Sequence, residues 1–446
     1  MAPENPIFET RRIYIQDDRI VGMGEDGITF PIQAADHVLD AKNCIVLPGL
    51  INAHTHTPMT IMRSIREDLG SFLKPGSRSM LPRGQDWTMN LQPEDHYLSS
   101  LLAIAEMLRC GTTTFVDMYR EMDRVAEAVV ESGIRACLGW EIFSVRRDPE
   151  RWLPYDEDVG RQTYEQSGRF ASQWNGRGDG RIRTLIAPHE TGTCHEPWLS
   201  NAGRLAGELG VELTLHLAES ENEVLFCRER YNHTPAELLQ EAGILEHHVL
   251  AAHCTYLSQS DIDLLGKKRF HAVICPQSYL KLANPMPPIQ AMRTGDINLA
   301  LGTDSAITNN NLDLWEEIRC VSLMQKYLSG DPAALPGLTA LQMATAGAAA
   351  AINLKQEVGT IEVGKKADII ILSTDKPHWH PLEGVLPGNL MYASHSSDVR
   401  SVLVDGRILM EDWEIKTFDE GEVIRRIQER IGSLRREVGL PYSLAG

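Results

Sequence analysis

The chain has 446 residues, 43% of them hydrophobic, which suits one large barrel with an accessory domain or about two to three domains. Asp and Glu outnumber Lys and Arg by 61 to 43, and the formal net charge of −18 argues against a general surface for nucleic acid or anionic membrane. Residues 1–12 lack the apolar core of a secretory signal and no apolar run approaches a membrane span, so we expect a cytoplasmic protein that does not bind membranes.

Both ends of the chain carry short β patterns. Residues 12–16 alternate between polar and apolar side chains, and a turn at 17–18 leads into a second short run. Similar patterns reappear at 367–372 and 399–407. Neither end is long enough to hold a core by itself, so we predict that residues 1–47 and 356–446 build one small β domain, with a helix at the end of the chain.

Between these ends, apolar runs rich in β-branched residues alternate with helical patterns. The eight apolar runs cover residues 45–54, 113–118, 134–141, 182–188, 211–216, 249–253, 270–276 and 297–302. The helical patterns include residues 93–110, 120–132, 197–209, 234–242, 312–328 and 339–352. Eight strands that alternate with helices predict an α/β fold in which residues 48–355 form a (β/α)8 TIM-like barrel.

Two segments are longer than an ordinary connection between a strand and a helix. Residues 69–91 are rich in Gly, Pro, Ser and Arg, and we predict that they form a loop over the functional site. Residues 143–180 form a second long insertion, which follows the third predicted strand.

Histidine and aspartate residues fall at the ends of four of the predicted strands. His54 and His56 end the first run, His216 ends the fifth, His253 ends the sixth, and Asp304 follows the eighth. A lone histidine at a strand end is more often a hydrogen-bonded core residue, but the carboxyl ends of barrel strands converge on one face. Three histidines and one carboxylate suit Zn²⁺ or another borderline divalent ion, with one position left for water.

Six segments then resemble the amidohydrolase superfamily, within its group of hydrolytic deaminases and s-triazine hydrolases. They are PGLINAHTHTPM at 48–59, AEMLRCGTTTFVDMY at 105–119, HLAESENEV at 216–224, LAAHCTYL at 250–257, LALGTDSAITNNNLDLWEE at 299–317 and VGTIEVGKKADIIIL at 358–372. The segments stand in the family's order, and the resemblance covers nearly the whole chain. It implies a barrel with a small β-sandwich built from both termini, and association into homo-oligomers.

Carried across position by position, the resemblance assigns roles to individual residues. It implies that one divalent metal ion per subunit, Zn²⁺ with Fe²⁺ as the alternative, is bound by four ligands: His54, His56, His216 and Asp304. Glu219 resembles the proton shuttle of the deaminases, and His253 resembles the histidine that steadies the attacking water or the developing charge. His189 matches a position that contacts the substrate in nucleoside-type deaminases.

These roles predict the hydrolysis of a small molecule. A metal of this type lowers the pKa of its water to about 7, and the resulting hydroxide attacks an sp² carbon. Asp304 can take the water's proton and Glu219 can protonate a ring nitrogen, after which ammonia leaves. We expect deamination of an amino-substituted heterocycle of the purine or nucleoside, pterin or triazine type. The alternatives are a triazine chlorohydrolase, an alkylaminohydrolase, an aryl-urea or amide hydrolase and, more remotely, a non-catalytic scaffold.

The pocket departs from the subgroup that deaminates methylthioadenosine and S-adenosylhomocysteine. The Pro-x-Glu stretch of that subgroup is absent from residues 72–87, and the chain reads Ser278-Tyr279 where Ser-Asn is expected. Trp87 and Tyr279 are candidates for stacking on a flat substrate ring, with core packing as the alternative for each.

Overall fold

A computed structural model describes residues 12–24, 35–64, 90–146, 154–382 and 386–437. Trp87 and all but the last two residues of the predicted 69–91 loop lie outside the described residues, so these predictions stay untested. Among the described helices, none has both the length and the apolar character needed to cross a membrane.

The chain alternates between strands and helices through most of its length. The strands are β1 (Arg12–Gln16), β2 (Arg19–Gly24), β3 (Cys44–Pro48), β4 (Leu50–Thr55), β5 (Thr112–Tyr119), β6 (Arg135–Ile142), β7 (Ile182–Pro188), β8 (Glu212–Leu217), β9 (Val249–His253), β10 (Phe270–Ile274), β11 (Asn298–Leu301), β12 (Ile369–Ser373), β13 (Val399–Val404), β14 (Arg407–Glu411) and β15 (Glu414–Ile415). The helices are α1 (Pro93–Arg109), α2 (Met122–Ser132), α3 (Glu157–Trp174), α4 (Trp198–Leu209), α5 (Glu221–Tyr231), α6 (Pro235–Glu241), α7 (Gln259–Leu265), α8 (Pro276–Lys281), α9 (Ile289–Thr294), α10 (Leu314–Ser329), α11 (Gly337–Met343), α12 (Ala346–Ala351), α13 (Leu386–Tyr392) and α14 (Glu420–Glu437).

Strands β4 to β11 form the barrel. Within the described residues these eight strands lie side by side in chain order, and each neighbouring pair is parallel. The first and last strands meet where the Asp304 amide donates to the His54 carbonyl at 3.0 Å. Helices cover the outside of the strands, which explains why the strands read as continuous apolar runs. The predicted (β/α)8 barrel is confirmed.

The predicted first strand, residues 45–54, is wrong as a single element. β3 belongs to the small domain, β4 belongs to the barrel, and the chain passes from one sheet to the other at Gly49. A Cβ atom at position 49 would lie 2.0 Å from Oγ1 of Thr113, so only glycine allows this approach. The apolar run hides the break because apolar residues continue from the half-buried β3 into the fully buried β4.

Two other predicted segments also differ in the structure. The helix predicted over 339–352 is two helices, α11 and α12, because the backbone of Thr345 leaves the helical region with φ −132° and ψ −101°. The insertion at 143–180 contains α3, which begins after Asp156 accepts hydrogen bonds from the amides of Asp158 and Val159. Much of this insertion is therefore the helix that covers β6 and β7.

The small domain takes strands from both ends of the chain, as predicted. β3 joins β12 to β15 in a five-stranded antiparallel sheet, and the β1–β2 hairpin packs on this sheet through a cluster that includes Ile20, Ile369 and Leu403. Buried Arg135 of β6 pairs with Asp368 at 2.9 Å and also with Asp405, which ties the barrel to the small domain. The exact boundaries at 47/48 and 355/356 stay a prediction.

Candidate metal centre

Four predicted ligands converge at the carboxyl end of the barrel. Nε2 of His56 lies 3.6 Å from Oδ1 of Asp304, and Nε2 of His54 lies 3.8 Å from the same oxygen. Nε2 of His216 lies 3.3 Å from Nε2 of His56. The ligand atoms of the three histidines all lie within 4.8 Å of one another. The barrel thus places residues from β4, β8 and the end of β11 around one point.

The hydrogen bonds of these histidines suit a metal ion at that point. Nδ1 of His56 bonds the carbonyl of Met118 at 2.7 Å, and Nδ1 of His216 bonds the carbonyl of His189 at 2.9 Å. A carbonyl only accepts, so each Nδ1 carries the proton and each Nε2 keeps a lone pair. Nε2 of His54 is buried and has no hydrogen-bond partner.

The electrostatics of the site favour neutral histidines and an ionised aspartate. Burial lowers the pKa of His54 and His216 well below the usual value, so both rings are neutral near pH 7. Burial alone would raise the pKa of Asp304, but the neighbouring histidines and the Ser278 hydroxyl lower it. Oγ of Ser278 donates to Oδ2 of Asp304 at 2.8 Å, and the Ser305 amide donates to Oδ1 at 2.7 Å. The residues present fit a divalent cation.

Glu219 and His253 stand beside this group. Oε1 of Glu219 lies 3.7 Å from Nε2 of His253, and the Glu219 side chain keeps 17% of its surface exposed. Burial, followed by the charge of Asp304, raises the pKa of Glu219 well above its usual value. Burial also lowers the pKa of His253 to about 4, and its backbone is left-handed with φ 74°. Both shifts favour the uncharged forms of Glu219 and His253, which stand side by side.

The predicted substrate-binding residues lie at different depths. His189 follows β7, stacks on Phe143 with ring centroids 4.4 Å apart, and bonds Oγ1 of Thr193 at 2.7 Å through Nδ1. Tyr279 is 1% exposed, and its hydroxyl bonds the Cys275 amide at 3.0 Å and the His253 carbonyl at 3.3 Å. This burial favours a role for Tyr279 in supporting His253 over direct stacking on a substrate.

Sequence reasoning missed three polar residues at this end of the barrel. Ser278 orients Asp304, although the sequence analysis treated it only as part of a motif. Asp117 of β5 accepts from the Thr57 amide at 3.0 Å, and burial raises its pKa to about 6. Glu141 of β6 is 3% exposed. Both acids stand near the carboxyl ends of strands, and that position was the available signal.

Comparison with known proteins gives consistent results. The model of the amidohydrolase family matches residues 45–409. A 5-methylthioadenosine/S-adenosylhomocysteine deaminase from Moorella thermoacetica is 40% identical over 426 residues, which is 96% of this chain and 96% of that protein.

Solved structures include two similar zinc-containing proteins. An adenosine deaminase from Xanthomonas campestris with bound zinc has a TM-score of 0.86 and 29% identity, covering 97% of this chain and 96% of its own. An atrazine chlorohydrolase from Arthrobacter aurescens complexed with zinc has a TM-score of 0.84 and 20% identity, covering 95% of this chain and 96% of its own. At that identity, the second likeness shows the shared fold alone.

Proposed function

The chain belongs to the amidohydrolase family. From that premise we propose that it removes the exocyclic amino group of the adenine ring of an adenosine derivative by hydrolysis. The observation that carries the proposal is the convergence of three histidines and an aspartate beside Glu219, a carboxyl group whose pKa burial raises well above its usual value. The relatives named above, which act on methylthioadenosine, S-adenosylhomocysteine or adenosine, support the choice of substrate class.

The metal would be held by the group of four ligands. Nε2 of His54, His56 and His216 and a carboxylate oxygen of Asp304 would bind one divalent ion, for which we propose Zn²⁺, with Fe²⁺ as the alternative. A divalent ion of this kind lowers the pKa of a water molecule that it binds to about 7 and so supplies a nucleophile at neutral pH.

The residues around the metal group would move the protons. As water oxygen bonds to the ring carbon, Asp304 would accept a proton at its carboxylate, while Glu219 would donate one to a ring nitrogen. Neutral His253, whose Nε2 lies 3.7 Å from Oε1 of Glu219, would steady the water oxygen as it becomes negative. The proton on Asp304 would then pass to the amino group and the proton of the new hydroxyl group would return to Glu219, so that the carbon–nitrogen bond breaks, ammonia leaves and the ring keeps a carbonyl oxygen. His189 would contact the edge of the ring.

The alternatives are less well supported. The atrazine chlorohydrolase shares the fold at 20% identity, and this identity carries no argument about the leaving group. No contact in the described residues favours an alkylamino, aryl-urea or amide substrate. A non-catalytic scaffold would have no need of unpaired histidine nitrogens facing a carboxylate. We also propose that the protein binds a small-molecule substrate and no nucleic acid, that it forms homo-oligomers, and that it is located in the cytoplasm.

Ammonia release from zinc-loaded protein tests the proposal. The substrates are adenosine, methylthioadenosine and S-adenosylhomocysteine, with an aminopyrimidine, a pterin and an aminotriazine for comparison. We expect ammonia and the matching inosine derivative from at least one nucleoside, and neither product from Glu219→Gln. Chloride release from a chlorotriazine, with no ammonia from any nucleoside, would replace deamination by the alternative.

A further inference from the structure

Glu141 faces the interior of the barrel. The preceding residue, Trp140, points outward, because its ring lies 6.2 Å from Phe170 of α3 and the Arg169 guanidinium lies 5.6 Å above it. Side chains alternate between the two faces of a strand, so Glu141 points to the opposite side, at the carboxyl end of β6. This is the end where the metal group stands.

The carboxylate of Glu141 has no partner within the described part of the chain. It is 3% exposed, and no hydrogen bond or ion pair joins it to a described residue. Other buried acids of this region do have donors: Asp117 accepts from Thr57, and Glu223 accepts from Thr191 at 2.6 Å and from the Glu219 amide at 3.0 Å. Because its oxygens lack a donor from the described residues but are not fully enclosed, a donor from outside the chain can reach them.

The surrounding charges are consistent with such a donor. Burial raises the pKa of Glu141 to about 7, and the charge of Arg120 only partly offsets that effect. Tyr119 of β5 pairs with Trp140 of β6, which places Arg120 beside Glu141. The Arg120 guanidinium lies 5.5 Å above the Tyr119 ring.

The order of the strands shows which part of a substrate would reach Glu141. The proposed proton-transfer groups Glu219 and Asp304 follow β8 and β11, and His253 is the last residue of β9. His189 follows β7, and Glu141 is the last residue but one of β6. When the reacting carbon of a substrate ring lies beside Glu219, the substituent on the other side of the ring therefore lies near the ends of β6 and β7. Phe143, stacked on His189, offers an apolar face next to it.

We propose that Glu141 is a specificity-determining residue that accepts hydrogen bonds from the non-reacting substituent of the substrate. This substituent carries hydrogen-bond donors, either sugar hydroxyls or an ammonium group, and a carboxylate or phosphate at the same place is disfavoured by like charge. The inference rests on the proposed function and narrows its substrate class.

The test compares one isosteric variant with a matched control across a set of nucleosides. Glu141→Gln removes the charge and keeps the size, while Glu165→Gln makes the same change at an exposed position of α3. The nucleosides are adenosine, its 2′-, 3′- and 5′-deoxy forms and 5′-amino-5′-deoxyadenosine, which separate hydroxyl donors from an ammonium donor. Metal content and thermal unfolding are measured for each protein.

We expect Glu141→Gln to lower kcat/KM about 10- to 100-fold, mainly through KM, for nucleosides that carry the contacted donor. For the analogue that lacks this donor, Glu141→Gln should lower kcat/KM less than about twofold. The substitution and the missing donor each remove the same hydrogen bond, so the second change adds little to the first. Glu165→Gln should match the wild type throughout.

Two other outcomes would contradict the inference in different ways. An equal loss on every nucleoside, or no loss, would overturn the role of Glu141 and leave deamination intact. A wild-type protein that deaminates none of the five nucleosides, and neither methylthioadenosine nor S-adenosylhomocysteine, would overturn the proposed function and this inference together.

Discussion

Histidines occur in pairs or larger groups at both ends of the barrel, and the two groups differ in what their ring nitrogens contact. At the amino end, His248 and His271 stack with centroids 4.4 Å apart. Nε2 of His248 bonds the Ala351 carbonyl at 2.7 Å, and Nδ1 of His271 lies 3.0 Å from Nδ2 of Asn298. No carboxylate of the described residues forms an ion pair with either ring.

At the carboxyl end the histidines leave nitrogens without protein partners. Nε2 of His54 and Nδ1 of His253 are buried and unpaired, and Asp304 lies within 4 Å of the His54 and His56 rings. Burial lowers histidine pKa values at both ends, so a low pKa does not distinguish a structural histidine from a ligand. The distinction comes from unpaired nitrogens that converge near a carboxylate.

The largest difference between the two ends is expected when one histidine is removed from each. His216→Ala should lower deamination by at least about a thousandfold, because the proposed metal would lose a ligand. His248→Ala should leave the rate per folded molecule within about twofold and lower the free energy of unfolding by about 1 to 3 kcal/mol. Steady-state rates and urea unfolding of the two variants would show this contrast. Equal losses of activity would mean that the two ends do not differ in function.

A smaller effect is expected when Glu219, the proposed proton shuttle, is changed and the proposed metal ligands are kept. Glu219→Gln should lower kcat by about 100- to 10,000-fold, since an amide cannot transfer the proton. Metal content should stay at the wild-type value. Rapid-quench or steady-state rates, with metal analysis of the same sample, measure both quantities. A variant with normal turnover would remove Glu219 from the mechanism.

The smallest predicted effect concerns pH and the amino-end pair. Burial lowers the pKa of His271 to about 3, below the unfolded value of about 6.5, so the unfolded chain binds the extra proton between these values. The stability that the neutral ring contributes is therefore lost as pH falls from 6.5 toward 3. We expect wild-type protein to lose on the order of 1 to 2 kcal/mol more than His271→Gln between pH 7 and 5. Urea unfolding with a chelator in all samples tests this, and parallel losses in both proteins would contradict it.

The sequence predicted the barrel because its strands are apolar on both faces and alternate with helices. It also predicted which residues meet at the carboxyl end, since His54, His216 and Asp304 all stand at strand ends. The break at Gly49 could not be predicted, because only the approach of Thr113, 64 residues later in the chain, requires it. Likewise, the inward direction of Glu141 depends on Trp140 packing against α3.

Metal analysis of the purified protein tests the central claim most directly. Wild-type protein and His248→Ala, dialysed against Zn²⁺ and then against buffer, should each keep one divalent ion per chain, while His216→Ala should keep far less. A wild-type protein that retains no metal, or a His216→Ala variant that retains as much as wild type, would contradict the assignment of the metal centre.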